Sequence, residues 1–190
     1  MSRGLGKVYK RQGLGLYGRL EGIVPDIEKA AALMIGCLRA GGKVMFAGNG
    51  GSAADAQHMA AEFVNRFRKE RAPLAGLALT TDTSVLTSIS NDYSFEEIFA
   101  KQVVALGRKG DVFVGISTSG NSPNIVKAVQ AAREAGISSV GLMGKGGALK
   151  DLVDCSICVP SSSTPRVQEA HLLIEHILCE LVEDAAGGSI

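Results

Sequence analysis

The chain has 190 residues, of which 46% are hydrophobic and 21% are charged, a composition typical of one globular domain. Its 20 Lys and Arg residues balance 19 Asp and Glu residues, and a net charge of +1 argues against a protein that binds nucleic acid or an anionic membrane. No apolar run reaches the roughly 20 residues that span a bilayer, and the first residues lack the apolar block of a signal peptide, so we expect a cytoplasmic protein.

Strands and helices alternate along the chain beyond a short N-terminal extension. Residues 1–22 are glycine-rich and basic, and we expect them to be poorly ordered or loosely docked on one domain that spans residues 23–190. Apolar positions at helical spacing predict a first helix from residue 24 to the Gly41-Gly42 pair. Short apolar runs predict five strands, at residues 43–47, 74–79, 111–116, 139–143 and 155–159. Further helices are predicted at residues 53–67, 83–89, 95–106, 123–135 and 165–182.

This alternation predicts the fold class. Each strand is a continuous apolar run, as expected for strands that are buried on both faces. We therefore expect an α/β domain with a five-stranded parallel sheet flanked by helices, a flavodoxin-like three-layer sandwich. Ligands of such sheets bind beyond the carboxyl ends of the strands, which directs attention to the loops at that edge.

The loop after the first strand, called the glycine loop below, reads Gly48-Asn49-Gly50-Gly51-Ser52. Its glycines let backbone N–H groups converge, and the helix N-terminus that follows adds a positive dipole end, so the loop could bind an anion. The spacing does not match G-x-G-x-x-G, and no G-K-[ST] follows, so neither a dinucleotide site nor a P-loop is indicated. A tight strand-to-helix turn capped by Ser52 explains the same residues equally well.

The loop after the third strand, Ser117 to Ser122, is called the hydroxyl loop below. Four hydroxyl groups and one amide crowd its six residues, and Pro123 suits the first position of the next helix. A capped helix with a solvated loop is the alternative, but one cap needs only one hydroxyl group. Hydroxyl groups beside a helix N-terminus suit a phosphate monoester, so we interpret the loop as a phosphate site.

Two predicted helices carry histidine and carboxylate side chains. His58 and Glu62 are four residues apart, so they share a helix face that begins just after the glycine loop. They could act as metal ligands or as an acid/base pair. The last helix carries a second polar group that includes Gln168, His171 and His176. An ordinary surface pair and a solvated helix face are the respective alternatives.

Four segments together resemble the sugar isomerase (SIS) domain family, in particular its members that isomerise heptose phosphates. They are AGNGGSAADAQHMAAE at 47–62, SNDYSFEEIF at 90–99, GDVFVGISTSGNSPN at 110–124 and RVQEAHLLIEHIL at 166–178. The resemblance covers roughly residues 24–182. It implies an isomerase that converts D-sedoheptulose 7-phosphate to D-glycero-D-manno-heptose 7-phosphate, the first step of ADP- or GDP-heptose synthesis for lipopolysaccharide or another heptose-containing polymer.

The resemblance also implies roles for individual residues. Substrate would contact residues of the two loops, of the segment at 90–99 and of the two helices, namely Asn49, Gly50, Gly51, Ser52, Glu62, Asn91, Asp92, Ser117, Thr118, Ser119, Ser122 and Gln168. A divalent metal ion, usually zinc in this family, would be held by His58, Glu62, Gln168 and His176. Glu62 and His176 match the family's acid/base pair. These ligand types suit several divalent ions, so the identity of the metal stays open.

The implied chemistry agrees with these residue types. Aldose–ketose isomerisation moves a proton between C1 and C2 through an enediol, and it needs a base for the carbon acid and a group that moves protons between oxygens. Glu62 is the candidate base and His176 the candidate acid, while Asp92 could help to open the sugar ring. A zinc ion could polarise the carbonyl group.

Helix geometry adds a prediction about assembly. Gln168 and His176 are eight residues apart, which is a rise of about 12 Å and a rotation of about 80° on a regular helix. Ligand atoms lie about 2 Å from a zinc ion, so one chain could hardly direct both side chains to one ion. We therefore predict that His176 serves a site shared with another subunit. The family resemblance suggests a homotetramer.

Two other functions compete with this interpretation. One is a non-enzymatic SIS adaptor that binds the replication initiator DnaA. The run Pro160-Ser161-Ser162-Ser163 somewhat resembles a segment of that adaptor. The histidine at position 176 favours the enzyme. The other is a SIS enzyme or sensor for a different sugar phosphate, which would share the hydroxyl loop but not the His58, Glu62, Gln168 and His176 combination.

Overall fold

The computed structural model describes residues 11–186 of the chain. All five predicted strands are present, as β1 (Val44–Gly48), β2 (Gly76–Ala78), β3 (Val112–Ser117), β4 (Ser138–Met143) and β5 (Cys155–Cys158). They form one sheet in the order β2-β1-β3-β4-β5, and every neighbouring pair is parallel. This is the flavodoxin-like strand order, so the predicted fold class is confirmed.

The helices connect and cover the strands. Residues 11–17 are helical (α1) and are followed by a 3₁₀ turn at Leu20–Ile23. The later helices are α2 (Val24–Arg39), α3 (Gly51–Val64), α4 (Thr83–Asp92), α5 (Ile98–Leu106), α6 (Pro123–Glu134), α7 (Leu149–Leu152) and α8 (Thr164–Ala186), with a second 3₁₀ turn at Phe95–Glu97. The short helix α7 was not predicted, and the single helix expected at residues 95–106 is divided into the 3₁₀ turn and α5.

The sheet separates two apolar clusters. Along β1, Val44 and Phe46 point into the cluster that contains α2, α3 and α8, whereas Met45 and Ala47 point into the cluster that contains α5 and α6. All five residues of β1 are buried. Alternate residues of a strand face opposite sides of a sheet, so the continuous apolar runs reflect a sheet that is covered by helices on both faces.

The N-terminal extension is more closely attached than we expected. Leu16 and Leu20 are 2% and 7% exposed, and both belong to the cluster that packs against α2 and α8. Burial of two leucine side chains contributes several kcal/mol on the scale of roughly 1.5–3 kcal/mol each. Residues 11–22 therefore form a docked helical segment, which corrects the expectation of a loose extension for this part; residues 1–10 lie outside the described residues.

No helix within residues 11–186 is both long enough and apolar enough to cross a membrane.

Candidate active site

The loops after β1 and β3 lie side by side at the carboxyl edge of the sheet. The two strands are neighbours, but β1 leads into α3 on one face and β3 leads into α6 on the other. Such a divergence opens a crevice at the strand ends. Asn49 of the first loop and Asn124 in the first turn of α6, directly after the hydroxyl loop, form reciprocal amide hydrogen bonds of 2.9 and 2.8 Å. The asparagine of the glycine loop is therefore held towards the hydroxyl loop.

The hydroxyl loop is internally hydrogen-bonded. Ser117 Oγ lies 2.8 Å from Ser122 Oγ, and Ser119 Oγ accepts a bond from the Asn121 N–H at 3.1 Å. Gly120 has a φ of 67°, and a Cβ atom there would come 2.2 Å from the Gly146 carbonyl oxygen. A glycine is thus required at position 120 by both backbone conformation and close packing.

A cavity of about 440 Å³ opens beside this loop. Thr118, Ser119 and Asn121 line one side of it, and Ser161 and Lys145 are among the residues that line the rest. Lys145 was not predicted from the sequence. Lys145 follows β4 at the same sheet edge. It adds a positive charge to a site for which the sequence indicated only hydroxyl groups.

The start of α3 lies under the side chain of Gln168. A Cβ atom built on Gly51 would come 2.5 Å from Gln168 Nε2, so the amide of Gln168 occupies the space that the missing side chain leaves. Gly50, with a φ of 57°, is the N-cap, and no side chain caps this helix. The alternative in which Ser52 caps the helix is therefore wrong, and Ser52 is instead buried within its first turn.

His58, Glu62 and His176 of one chain come together where α3 meets α8. The Nε2 atoms of the two histidines are 3.0 Å apart, and His58 Nε2 is 3.7 Å from Glu62 Oε1. The ring of Phe67 packs 5.3 Å from the ring of His176. The side chains of His58 and Glu62 remain 38% and 22% exposed, so solvent and small ligands can reach them.

The same contact bears on the predicted assembly. His176 meets His58 of its own chain, and the sharing of this site with a second subunit stays a prediction. Gln168 lies over Gly51, seven residues and about 10 Å along α3 from His58. Within one chain Gln168 and His176 are therefore separated along α8, as predicted. His176 lies beside His58, whereas Gln168 lies beside the start of α3.

The ring nitrogens of His58 and His176 lie at a spacing that suits two ligands of one zinc ion. Two nitrogen ligands of a tetrahedral zinc ion are about 3.3 Å apart when each lies about 2.0–2.1 Å from the metal, and the two imidazole nitrogens are 3.0 Å apart. Within residues 11–186, however, no group of three or more His, Cys, Asp or Glu residues is already arranged to hold a metal ion. The chemistry of the donor set thus suits zinc, whereas one chain alone brings together only a partial site.

Asn91 and Asp92 lie at the end of α4 and are exposed. Asn91 Nδ2 donates to Asp92 Oδ1 at 2.9 Å. Among the hydrogen bonds given by the described residues, none joins this pair to the hydroxyl loop or to the His58 group.

Sequence reasoning missed an ion pair that supports Glu62. The Arg71 guanidinium donates to the backbone carbonyl groups of Glu62 and Phe63 at 2.7 and 2.9 Å, and its Nε lies 3.3 Å from Glu183 Oε1. The side chains of Arg71 and Glu183 are 4% and 1% exposed. Arg71 thereby ends α3 at Val64, which is earlier than predicted. Neither residue belongs to a motif, so a pairing between positions 71 and 183 left no sign in the sequence.

Two buried titratable side chains, His171 and Glu175, lie on α8, and the half-buried Asp55 lies near Glu175. Both nitrogens of His171, both carboxyl oxygens of Glu175 and Oδ2 of Asp55 have no hydrogen-bond partner among the described residues. Burial, reinforced by the nearby Asp55 charge, raises the pKa of Glu175 to about 8. Burial lowers the pKa of His171 to about 4, against a small opposing effect of the Met143 backbone. Both side chains are therefore mainly uncharged at neutral pH.

Comparison with known proteins identifies the class to which this fold and site belong. A model of the SIS domain family matches residues 16–144, more than half of the chain, and the chain belongs to the SIS domain family. The match includes the glycine loop, the hydroxyl loop, His58 and Glu62. The match ends before α8, so it does not include Gln168 and His176.

Several relatives of the chain are phosphoheptose isomerases. The phosphoheptose isomerase of Rhodospirillum rubrum is 58% identical over 168 residues, 88% of this chain and 89% of its own length. That of Roseiflexus sp. is 54% identical over 165 residues, 86% of this chain and 84% of the relative. The solved structure of phosphoheptose isomerase from Neisseria gonorrhoeae has a TM-score of 0.92 at 43% identity and covers 97% of this chain and 100% of its own. The expected family resemblance is confirmed, and the DnaA-binding alternative finds no support.

Proposed function

We propose that this protein is a phosphoheptose isomerase that converts D-sedoheptulose 7-phosphate to D-glycero-D-manno-heptose 7-phosphate. The observation that carries the proposal is the convergence of Glu62, His58 and His176 on α3 and α8, in a chain whose relatives are named for this activity. A carboxylate and an imidazole at one site are the two groups that an enediol mechanism needs.

Glu62 and His176 carry the proposed proton transfers. The Glu62 carboxylate removes a proton from C1 of the open-chain ketose, and the C1 electron pair forms the enediol double bond as O2 takes a proton from His176. The Glu62 carboxyl group then returns the proton to C2, while His176 recovers a proton from O1, which becomes the aldehyde oxygen. Both groups end in their starting protonation states, so the isomerisation needs no co-reactant.

The hydroxyl loop is proposed to hold the phosphate group of the substrate. Ser117, Thr118, Ser119 and Ser122 offer hydroxyl groups, and the N-terminus of α6 adds a positive dipole end. Lys145 lies in the adjacent cavity and can balance one of the two negative charges. Asn49, Gly50, Gly51, Ser52, Asn91, Asp92 and Gln168 would contact the remainder of the sugar.

Zinc is the proposed cofactor, with His58, Glu62, Gln168 and His176 as its ligands. When bound, the ion would supply a Lewis acid for the carbonyl and enediolate oxygens. Because Gln168 lies apart from the other three residues in one chain, we propose a homotetramer whose sites lie at subunit interfaces, with Gln168 supplied by a second copy. The location is proposed to be the cytoplasm, with the product entering heptose synthesis for lipopolysaccharide or a related polymer.

The direct test is conversion of D-sedoheptulose 7-phosphate by the purified protein, followed by NMR of the aldose product. Glu62→Gln and His176→Ala should each lower kcat by about 10²-fold or more, as is typical for loss of a general acid or base. Glu70→Gln, on an exposed carboxylate paired with Arg66, is the matched control and should retain activity. A wild-type protein without aldose product in the presence of zinc would contradict the proposed function, and full activity of Glu62→Gln would contradict its role as base.

A further inference from the structure

A second cavity, of about 310 Å³, lies between the docked N-terminal segment and the start of α8. We call it the arginine pocket. Its polar lining consists of Arg11, Gln12, Arg19, Ser161, Ser163 and Arg166. None of the proposed catalytic or metal-binding residues lies in it, and the proposed isomerisation does not use it.

The pocket concentrates positive charge. Arg166 is largely buried, with its side chain 15% exposed, and its Nη2 lies 2.6 Å from Glu169 Oε1. Arg11 and Arg19 enter no ion pair among the described residues. Arg19 donates a hydrogen bond of 3.5 Å to the Pro160 carbonyl oxygen. Three guanidinium groups thus lie around one cavity, in a chain whose overall charge is only +1.

The chain builds this pocket from distant segments. Gly13 of the N-terminal segment lies beside Arg166, because a Cβ atom at that position would lie in ordinary contact, 3.9 Å from Arg166 Nη1. Leu16 is buried on the same segment and fixes the helical turn that carries Arg11 and Arg19. The pocket therefore exists only when the N-terminal segment is docked against α8.

The arginine pocket adjoins the hydroxyl-loop cavity. Ser161 lines both cavities, and its N-terminal neighbour Pro160 accepts the bond from Arg19. Guanidinium groups bind phosphoryl oxygens through paired N–H donors, and serine hydroxyl groups can complete the contacts. The volume and the hydroxyl lining suit a compact oxyanion rather than a chain of acidic residues.

We propose that the arginine pocket is a second phosphoryl-binding site, separate from the hydroxyl loop, which takes a phosphate or pyrophosphate group of a small molecule. Binding there would hold the N-terminal segment against α8 and would be sensed at the hydroxyl-loop cavity through Ser161. This inference does not depend on which sugar the enzyme isomerises.

The test is calorimetric titration of the full-length protein with inorganic phosphate and with pyrophosphate. The wild-type chain should bind at two sites per chain, and Ser119→Ala should weaken only the site at the hydroxyl loop. The double variant Arg11→Gln/Arg19→Gln should weaken the other site by at least about tenfold, since it removes two charged donors. Arg39→Gln, at the end of α2, is the matched control and should bind as the wild type does.

Circular dichroism and thermal melting keep the result interpretable. The double variant should retain the wild-type spectrum, and its melting temperature should rise less with pyrophosphate than that of Arg39→Gln. One binding site in the wild type that Ser119→Ala removes would overturn the proposal. Unchanged affinities in the double variant, or no saturable binding of either anion to the wild type, would overturn it as well.

Discussion

His171 is a buried residue whose effect on the free energy of unfolding depends on pH. Its side chain is fully buried on α8, and neither ring nitrogen has a partner among the described residues. The pKa is lowered to about 4 because the charged imidazolium loses its hydration. A histidine with a lowered folded-state pKa stabilises the fold fully above its unfolded pKa of about 6.5, and this contribution is lost as the pH falls towards 4.

We therefore predict a pH-dependent difference between the wild type and His171→Leu. Between pH 6.5 and pH 4 the free energy of unfolding of the wild type should fall more steeply, by an amount on the order of 3 kcal/mol at the lower end. Urea unfolding at several pH values, with EDTA present, measures the difference directly. Parallel curves for the two proteins over this range would contradict the assigned burial of a neutral imidazole.

The spacing of the polar residues on α3 and α8 predicted which of them share a helix face, but not which of them are buried. His58 and Glu62 were predicted to share a helix face because a spacing of four residues fixes this locally. Gln168 and His171, three residues apart, also share a helix face, but this spacing does not tell whether His171 is buried, because burial depends on where α8 meets the sheet. The sequence therefore indicated the polar group on α8, but not that His171 and Glu175 are its buried members.

At the level of elements, the site depends on the packing of α3 against α8. The two helices run in the same direction, because Gly51 meets Gln168 at one end and His58 meets His176 further along. Beyond the end of α3, the Glu183 carboxylate accepts the N–H groups of Phe67, Arg68 and Lys69 at 2.7–2.8 Å. These contacts fix the relative position of the two helices that carry the proposed acid and base.

Glu183 remains charged although it is buried. Burial alone would raise its pKa, but the three backbone donors and the Arg71 charge outweigh this effect and lower it. Removing one partner from a buried ion pair leaves the other charge without compensation. The stability of this corner of the molecule therefore depends on both Arg71 and Glu183.

We predict that Glu183→Gln lowers the free energy of unfolding by about 3 kcal/mol, the scale for breaking a buried pair from one side. The control is Glu180→Gln on the same helix. Its ion pair with Arg68 is exposed, so its loss should cost less than about 1 kcal/mol. Because Arg71 also holds the Glu62 carbonyl, kcat of the folded Glu183→Gln enzyme should fall more than KM changes. Equal unfolding energies for the two variants would contradict the argument.

The elements that were predicted well are those with local causes. Continuous apolar runs gave the five strands and helical periodicity gave most helices, because both patterns follow from burial of neighbouring residues. The early end of α3 was missed because it results from Arg71, whose partner lies more than 100 positions away in the chain. The docking of residues 11–17 was missed because glycine-rich, basic segments are usually solvated, and here Leu16 and Leu20 anchor the segment.

For the whole molecule, the arrangement of Gln168 bears on how many chains form one site. In one chain, Gln168 lies over the start of α3, about 10 Å along that helix from His58 and His176. This rise corresponds to about two turns of α3 between Gly51 and His58. We therefore predict that Gln168, as the ligand that the family resemblance implies, is supplied by another copy of the chain.

This leads to a complementation prediction. His58→Ala and Gln168→Ala should each be inactive as pure proteins. When the two are unfolded together at equal concentration and refolded, sites made from two chains will by chance combine one intact His58 with one intact Gln168 in about a quarter of cases. We therefore expect recovery of about a quarter of wild-type activity, with zinc content rising in proportion, and the same co-refolding of His58→Ala with His176→Ala should give no recovery. Mixed oligomers, verified by mass spectrometry, that stay inactive would mean that Gln168 serves the site of its own chain, and would exclude the shared site.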